Sequence, residues 1–317
     1  MIMRKGWLKL LMFLVVLVIV AFISMGVGPS WVSPFKVYSV RLPRILLGVF
    51  AGSSLALIGA SLQGILRNPL ADPYILGVSS GAAFGAALSI VLRVGSSLLT
   101  PVFGFLGAIL AIAAVYNLAR SDGRIPMDTL LLSGVLVGFF FSALVMLLMV
   151  MAGRELHQIT YLLMGNLGFI FARKDIPLFV VFVILVAICG IVLYSRSREM
   201  NILSIGEEGA RQLGVETEKL KMTVFIASSL VVGAVVAFCG SIGFVGLVVP
   251  HISRMIVGPD HRRLIIASLL LGSTLLLISD AIARTVAPVE LPVGVITAIF
   301  GVPFFAYLLK KRRRKFD

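Results

Sequence analysis

Apolar residues run along this chain in blocks of about twenty, with polar and charged residues gathered in the short gaps between them. About twenty apolar residues is the length that crosses a bilayer as an α-helix. The blocks predict ten spans, at 8–27, 43–66, 76–93, 98–119, 127–151, 176–195, 222–240, 244–258, 263–286 and 293–310. The eighth is short and rich in Gly and Pro. The first follows Arg4, Lys5 and Lys9, an order of charges that secretory signals share. Its apolar run from Leu10 to Ile23 is long for a signal and no small-x-small cleavage site follows, so it reads as a span.

The longest polar interruption, Ser195 to Lys221, is itself patterned. Ser204 or Gly206 is placed to cap a short helix, with Glu207 and Glu208 in its first turn, where the helix dipole favours anions. Arg211 falls near its end, and Gly214 suits the left-handed position that follows. Ala210 and Leu213, three apart, give it a small apolar face. A second short turn is expected over Glu216 to Leu220. The pattern fits either a solvated loop with incidental helicity or a docking element for a soluble partner.

Composition fixes the class. The chain is 59% hydrophobic and 13% charged, against about 25% charged in soluble domains. It is an all-α polytopic membrane protein with about ten transmembrane helices, a single membrane domain over 1–317. The net charge of +14 does not imply nucleic acid, because the basic residues sit in gaps between apolar runs and in the tail from Lys310 to Lys315. With the N-terminus inside, about 20 of the 28 Lys and Arg residues fall on the inner side. An even span count returns the C-terminus there, so both termini and Ser195–Lys221 are expected in the cytoplasm and the chain in the cytoplasmic membrane.

Small residues four apart mark packing faces: Gly52, Ala56, Ala60 and Gly64; Gly77, Gly81, Gly85 and Ser89; Gly134, Gly138 and Ser142. Leu66 to Pro73 reads as a tight turn. Gly240, Gly243 and Gly246, followed by Pro250, predict a broken, mobile helix pair. His251 and Arg254 lie one turn beyond each other near its inner end, suited to hydrogen-bonding an inner loop. Arg41 and Arg44 flank Pro43 at the outer start of the second span, and Arg284 is a third outer arginine, able to pair with Asp280 one turn earlier. These arginines suit either lipid headgroups or a partner's carboxylates.

Catalytic chemistry is not written here. The sequence has no G-x-x-x-x-G-K-[S/T], H-E-x-x-H, G-x-S-x-G or C-x-x-C. Cys189 and Cys239 lie within apolar runs, and His157, His251 and His261 are far apart in sequence, so no metal site and no cofactor are expected. No unpaired acidic residue sits at mid-span to couple an ion gradient; Asp280 comes nearest. Uphill transport would therefore draw its energy from another subunit.

Taken together, R-L-P-R at 41–44, G-A-S-L-Q-G-I-L-R-N-P-L-A-D-P from Gly59, G-V-S-S-G-A-A at 77–83, G-E-E-G-A-R-Q-L-G at 206–214, G-F-V-G-L-V-V-P-H-I-S-R at 243–254 and E-L-P-V-G at 290–294 resemble the permease of FecCD-type ABC importers. Such permeases take up ferric siderophores, haem and cobalamin, and some handle oxyanions. The resemblance runs from about Val40 to Leu309. It implies a type II ABC importer permease that pairs with a second copy, two cytoplasmic ATPases and one extracytoplasmic substrate-binding protein. It places ATPase docking within the coupling region at about 201–221, on Gly206, Glu207, Glu208, Ala210, Arg211, Gln212, Leu213 and Gly214. It places binding-protein docking on Arg41, Arg44 and Arg284. It makes Gly243, Gly246, Pro250, His251 and Arg254 the hinge and inner end. The fifth and tenth spans would line the path, with a gate in His157–Phe169 that contains Met164, Gly165, Asn166, Leu167 and Gly168. Relatives often carry Ser where Asn166 stands. A secondary carrier without an ATPase partner is the alternative reading.

Overall fold

The computed structural model describes residues 2–28, 34–94, 99–120, 126–168 and 175–313. Its helices are α1 (Ile2–Gly26), α2 (Pro34–Ile65), α3 (Val78–Val91), α4 (Leu99–Ala119), α5 (Met127–Met151), α6 (Leu156–Met164), α7 (Ile176–Ser195), α8 (Ser197–Leu203), α9 (Glu207–Gln212), α10 (Thr217–Cys239), α11 (Val245–Val257), α12 (His261–Ala283) and α13 (Val293–Arg313). A 3₁₀ turn, Pro73–Leu76, leads into α3. No strand occurs among the described residues.

Seven helices (α1, α2, α4, α5, α7, α10 and α12) are long and apolar enough to cross a membrane, and α3, α11 and the apolar part of α13 are shorter. These ten segments coincide with the ten apolar runs of the sequence. The expected separate turn at Glu216–Leu220 does not exist. Those residues open α10, which runs unbroken from Thr217 because nothing between Thr217 and Cys239 interrupts a helix.

α2 and α10 form the centre and α1 and α7 the periphery, with most of their apolar side chains facing outward. Without water to drive helices together, close backbone contact holds such a bundle. The small-residue stripes supply it. A Cβ on Gly59 of α2 would fall on the Gly246 carbonyl of α11, and one on Gly52 would fall on the Gly272 carbonyl of α12. A Cβ on Gly85 would meet the Phe103 carbonyl of α4.

α12 runs antiparallel to α2 along its length, so α8, α9 and the start of α12 share one end of the bundle. The start of α2, α6 and Glu290 share the other. These are the α9 end and the α6 end below.

Candidate transport and docking sites

The α9 end is built on α8, which the sequence reading missed. Met200 and Leu203, three apart, are buried beneath it. Asn201 joins it to α12: its Nδ2 donates to Asp260 Oδ1 at 2.7 Å, and its Oδ1 accepts from the His261 backbone N–H at 2.8 Å. Ser204 donates to Asn201 O at 2.6 Å, so it closes α8 and does not cap α9. α9 starts instead at Gly206, with φ +137° and no side-chain cap.

α9 is then fixed by charge. Glu207 lies 2.8 Å from both Arg211 Nη2 and Lys221 Nζ, and Arg211 Nε donates to Thr217 Oγ1 at 3.1 Å. The Lys221 ammonium hydrogen-bonded to Glu207, with Arg211 beside it, holds the Glu207 carboxyl below the usual carboxylate range. Gly214 takes φ +82°, as its position after a helix requires, and Val215 N–H closes on Ala210 O at 3.0 Å. The expected common apolar face of Ala210 and Leu213 is split. Ala210 is buried against the bundle, whereas Leu213 and Ile205 stand 62% and 73% exposed. Glu208 and Gln212 are also exposed.

At mid-bundle, α10 ends at Gly240 (φ +66°) and α11 begins at Phe244 (φ +68°). The backbone between them is not helical. Bilayer hydrocarbon offers no partner to such a backbone, and Tyr74 supplies one: its hydroxyl donates to Ile242 O at 3.0 Å and accepts from Ile242 N–H at 2.8 Å. The break spans Gly240–Phe244, within the run where the glycines and Pro250 predict a broken helix pair, and Pro250 itself sits inside a continuous α11. The three glycines differ. Gly240 and Gly246 meet backbone or Pro73 at once, while a Cβ on Gly243 would meet nothing within 4 Å. Arg254 turns to α2, with Nη1 3.4 Å from Gln63 Oε1, and Gln63 Nε2 donates to Leu247 O at 3.1 Å. His251, one turn earlier, is half-buried and lines a cavity with Arg254.

The expected gate residues adjoin this break. Gly165 has φ +76°, and a Cβ there would fall on the Ser241 carbonyl. Asn166 N–H donates to Cys239 O at 2.7 Å, and Asn166 Oδ1 accepts from Gly168 N–H at 2.7 Å. Leu167 is fully buried, and Met164 is exposed. Phe169, the last residue of the expected gate loop, lies outside the described residues. The break, the 164–168 segment and the start of α13 thus form one junction, because a Cβ on Gly294 would fall on the Met164 carbonyl.

At the α6 end the three arginines do not make one exposed patch. Asp280 is fully buried, with Oδ1 2.8 Å from Arg44 Nε and Oδ2 3.0 Å from Arg284 Nε. The second contact is an ion pair by distance without hydrogen-bond alignment. Arg284, expected at a docking surface, is only 3% exposed. It donates from Nη1 to Val27 O at 2.7 Å and from Nη2 to Ser24 Oγ at 2.8 Å. Arg41 donates to Met25 O at 2.8 Å. Two cations thus bind the free carbonyls at and just past the end of α1, where the helix dipole is negative. Arg44 is nearer the surface and also holds Glu290, at 2.8 Å.

Among the described residues no three His, Cys, Asp or Glu side chains gather into a metal-binding group, and Cys189 and Cys239 are free and buried. α5 carries Phe139, Phe140, Met146 and Met151 exposed, while Phe141 turns inward onto Phe84.

The structure is an all-helical membrane bundle with a supported break at its centre and a two-helix element at one end, and its likeness to a solved ABC transporter makes it a permease of the type II ABC importer fold. A solved ABC transporter of metal-chelate type, in an inward-facing conformation, superposes with a TM-score of 0.85 at 37% identity, over 95% of this chain and 98% of that one. The FecCD transport family model matches residues 8–311. The cobalamin import system permease protein BtuC of Halobacterium salinarum is 47% identical over 275 residues, 86% of this chain and 73% of its own length. The molybdate import system permease protein MolB of Haemophilus influenzae is 39% identical over 285 residues, 88% of this chain and 82% of its own length. The chain belongs to the FecCD transport family, whose members are membrane permease subunits of ABC importers.

Proposed function

We propose that this chain is the membrane half of an ATP-driven importer that carries a metal chelate (cobalamin, haem or a ferric siderophore) across the cytoplasmic membrane. The relatives' names support the substrate class, and the 47% identity to a cobalamin permease favours cobalamin within it. The excess of Lys and Arg in the segments at the α9 end supports a cytoplasmic placing for that end and for both termini.

The observation that carries the reading is α9. A six-residue helix has no stability of its own, yet this one is held by the Glu207–Arg211–Lys221 ion pairs and by buried Ala210. Ile205 just before it and Leu213 just after it stand exposed to water. Exposed apolar side chains on a rigid element at a membrane surface suit a soluble partner. That partner is an ATPase subunit, one for each of two permease copies. The exposed Phe and Met face of α5, with α13, faces the second copy across the path. Segment 164–168 gates that path, and the Gly240–Phe244 break is its hinge. At the α6 end Arg41 and Arg44 meet carboxylates of the binding protein, while Arg284, buried beneath, holds α1 and α12 in place for them.

Leu213→Asp with Ile205→Asp leaves the ion pairs of α9 intact and puts charge into the docking face. Co-purification with the ATPase is expected to weaken about tenfold or more, as loss of central apolar anchors does, while the permease still extracts as a folded species. Undiminished co-purification would remove α9 from the interface.

A further inference from the structure

Beside α9, where α2, α8, α11 and α12 converge, lies a cavity of about 420 Å³. Its polar walls are Gln63, Arg67, Ser204, His251, Arg254 and His261, and no carboxylate lines it. Among the described residues the Arg67 guanidinium has no ion pair or hydrogen bond. Arg254 has no ion pair, only the long 3.4 Å contact to Gln63. Asp260, the residue before His261, is occupied elsewhere, by Asn201 Nδ2, the Arg262 N–H and, at 4.0 Å, Arg263.

His261 adds an independent sign. It is 5% exposed, its Nδ1 lies 2.8 Å from Asn201 Oδ1, and its Nε2 is buried without a partner, turned to Gly64 on the cavity wall. With Nδ1 donating to Asn201 Oδ1, Nε2 of the neutral ring is an acceptor without a donor. A hydroxyl carried by a phosphate group, or by the glycerol of its ester, is a donor of the kind it lacks. Two unpaired guanidiniums, an amide and an imidazole on separate walls suit an anion with several acceptor oxygens, and planar guanidinium forks match phosphate oxygens in pairs.

We propose that this cavity binds a phosphate group. Water can deliver it as inorganic phosphate, or the bilayer can deliver it as an anionic lipid headgroup. An apolar cleft of about 990 Å³ between α2, α7 and α12 reaches Ile265, one turn from His261 on the same face of α12, and could take acyl chains.

The test uses the full chain purified in neutral detergent. Thermal unfolding is followed with inorganic phosphate against chloride at matched ionic strength, and native mass spectrometry with phosphatidylglycerol against phosphatidylcholine. Saturable binding of one of the two phosphate probes is expected: phosphatidylglycerol names the lipid as source, inorganic phosphate the solution. Arg67→Gln with Arg254→Gln should weaken that binding about tenfold or more. Ser204→Asp, which leaves both arginines in place and adds an anion at the rim, should weaken it comparably. Lys219→Gln with Lys310→Gln, an equal loss of net charge elsewhere, should leave it unchanged. Binding of neither probe, binding that survives both cavity variants, or equal loss in the lysine pair would overturn the proposal.

Discussion

Replacing Asp280 by Ala is expected to cost about 3–5 kcal/mol of stability, the loss typical of breaking a buried ion pair from one side. The cost arises because the guanidinium of Arg284 stays buried, with the Ser24 and Val27 oxygens and, at 3.4 Å, the residue-280 backbone carbonyl as its remaining partners. Arg44 would keep Glu290. Arg284→Ala should also destabilise, since it leaves Asp280 with Arg44 alone and the carbonyls at the end of α1 uncovered. The double substitution should cost less than the sum of the two, with a coupling of about 0.5–3 kcal/mol. Denaturant unfolding of the three variants in mixed micelles measures it; strict additivity would mean that the pair contributes nothing jointly.

Gly59 is the second position where a large effect is expected. Its Cα faces the Gly246 carbonyl, so even one methyl group must push α2 and α11 apart. Backbone cannot rotate out of the way as a side chain can. Gly59→Ala should lose about 1–3 kcal/mol, and Gly59→Leu should fail to accumulate as folded protein. Gly243→Ala is the control. Open space surrounds it, and its backbone does not need the left-handed region, so the change should stay within about 0.5 kcal/mol. Heat stability of detergent extracts separates the two positions, and equal tolerance at both would refute the close crossing.

That contrast marks what a sequence does and does not disclose here. The ten apolar runs were legible because lipid demands length and hydropathy and little else. The small-residue stripes were legible because their spacing is helical. Gly243 and Gly246 read alike in the sequence, since spacing says nothing about which one touches a neighbouring backbone. A broken helix pair was legible in the run from Gly240 to Pro250, but which residues open and what pairs with them was not. The break lies at Gly240–Phe244, where a distant tyrosine, Tyr74, satisfies the open backbone. Long-range pairing of that kind leaves no local pattern.

The same holds at both ends. The caps and charges of α9 were readable from Gly206 to Gly214, but α8 was not, because its purpose is the Asn201 link to Asp260 and His261 some sixty residues away. The Arg284–Asp280 pair was visible as an i,i+4 spacing. Its burial was not, because that depends on α1 folding its carbonyls over it. Glu290 as the second partner of Arg44 was likewise hidden by a separation of 246 residues.

The central claim is that this permease moves its substrate only when an ATPase grips α9. Uptake of cobalamin into proteoliposomes tests it most directly, with the permease, its ATPase and its binding protein reconstituted together and ATP enclosed on the α9 side. The account predicts uptake that requires ATP and the ATPase, and that falls to background in the Ile205→Asp, Leu213→Asp variant. Uptake at the same rate without the ATPase, driven by an imposed ion gradient, would contradict it.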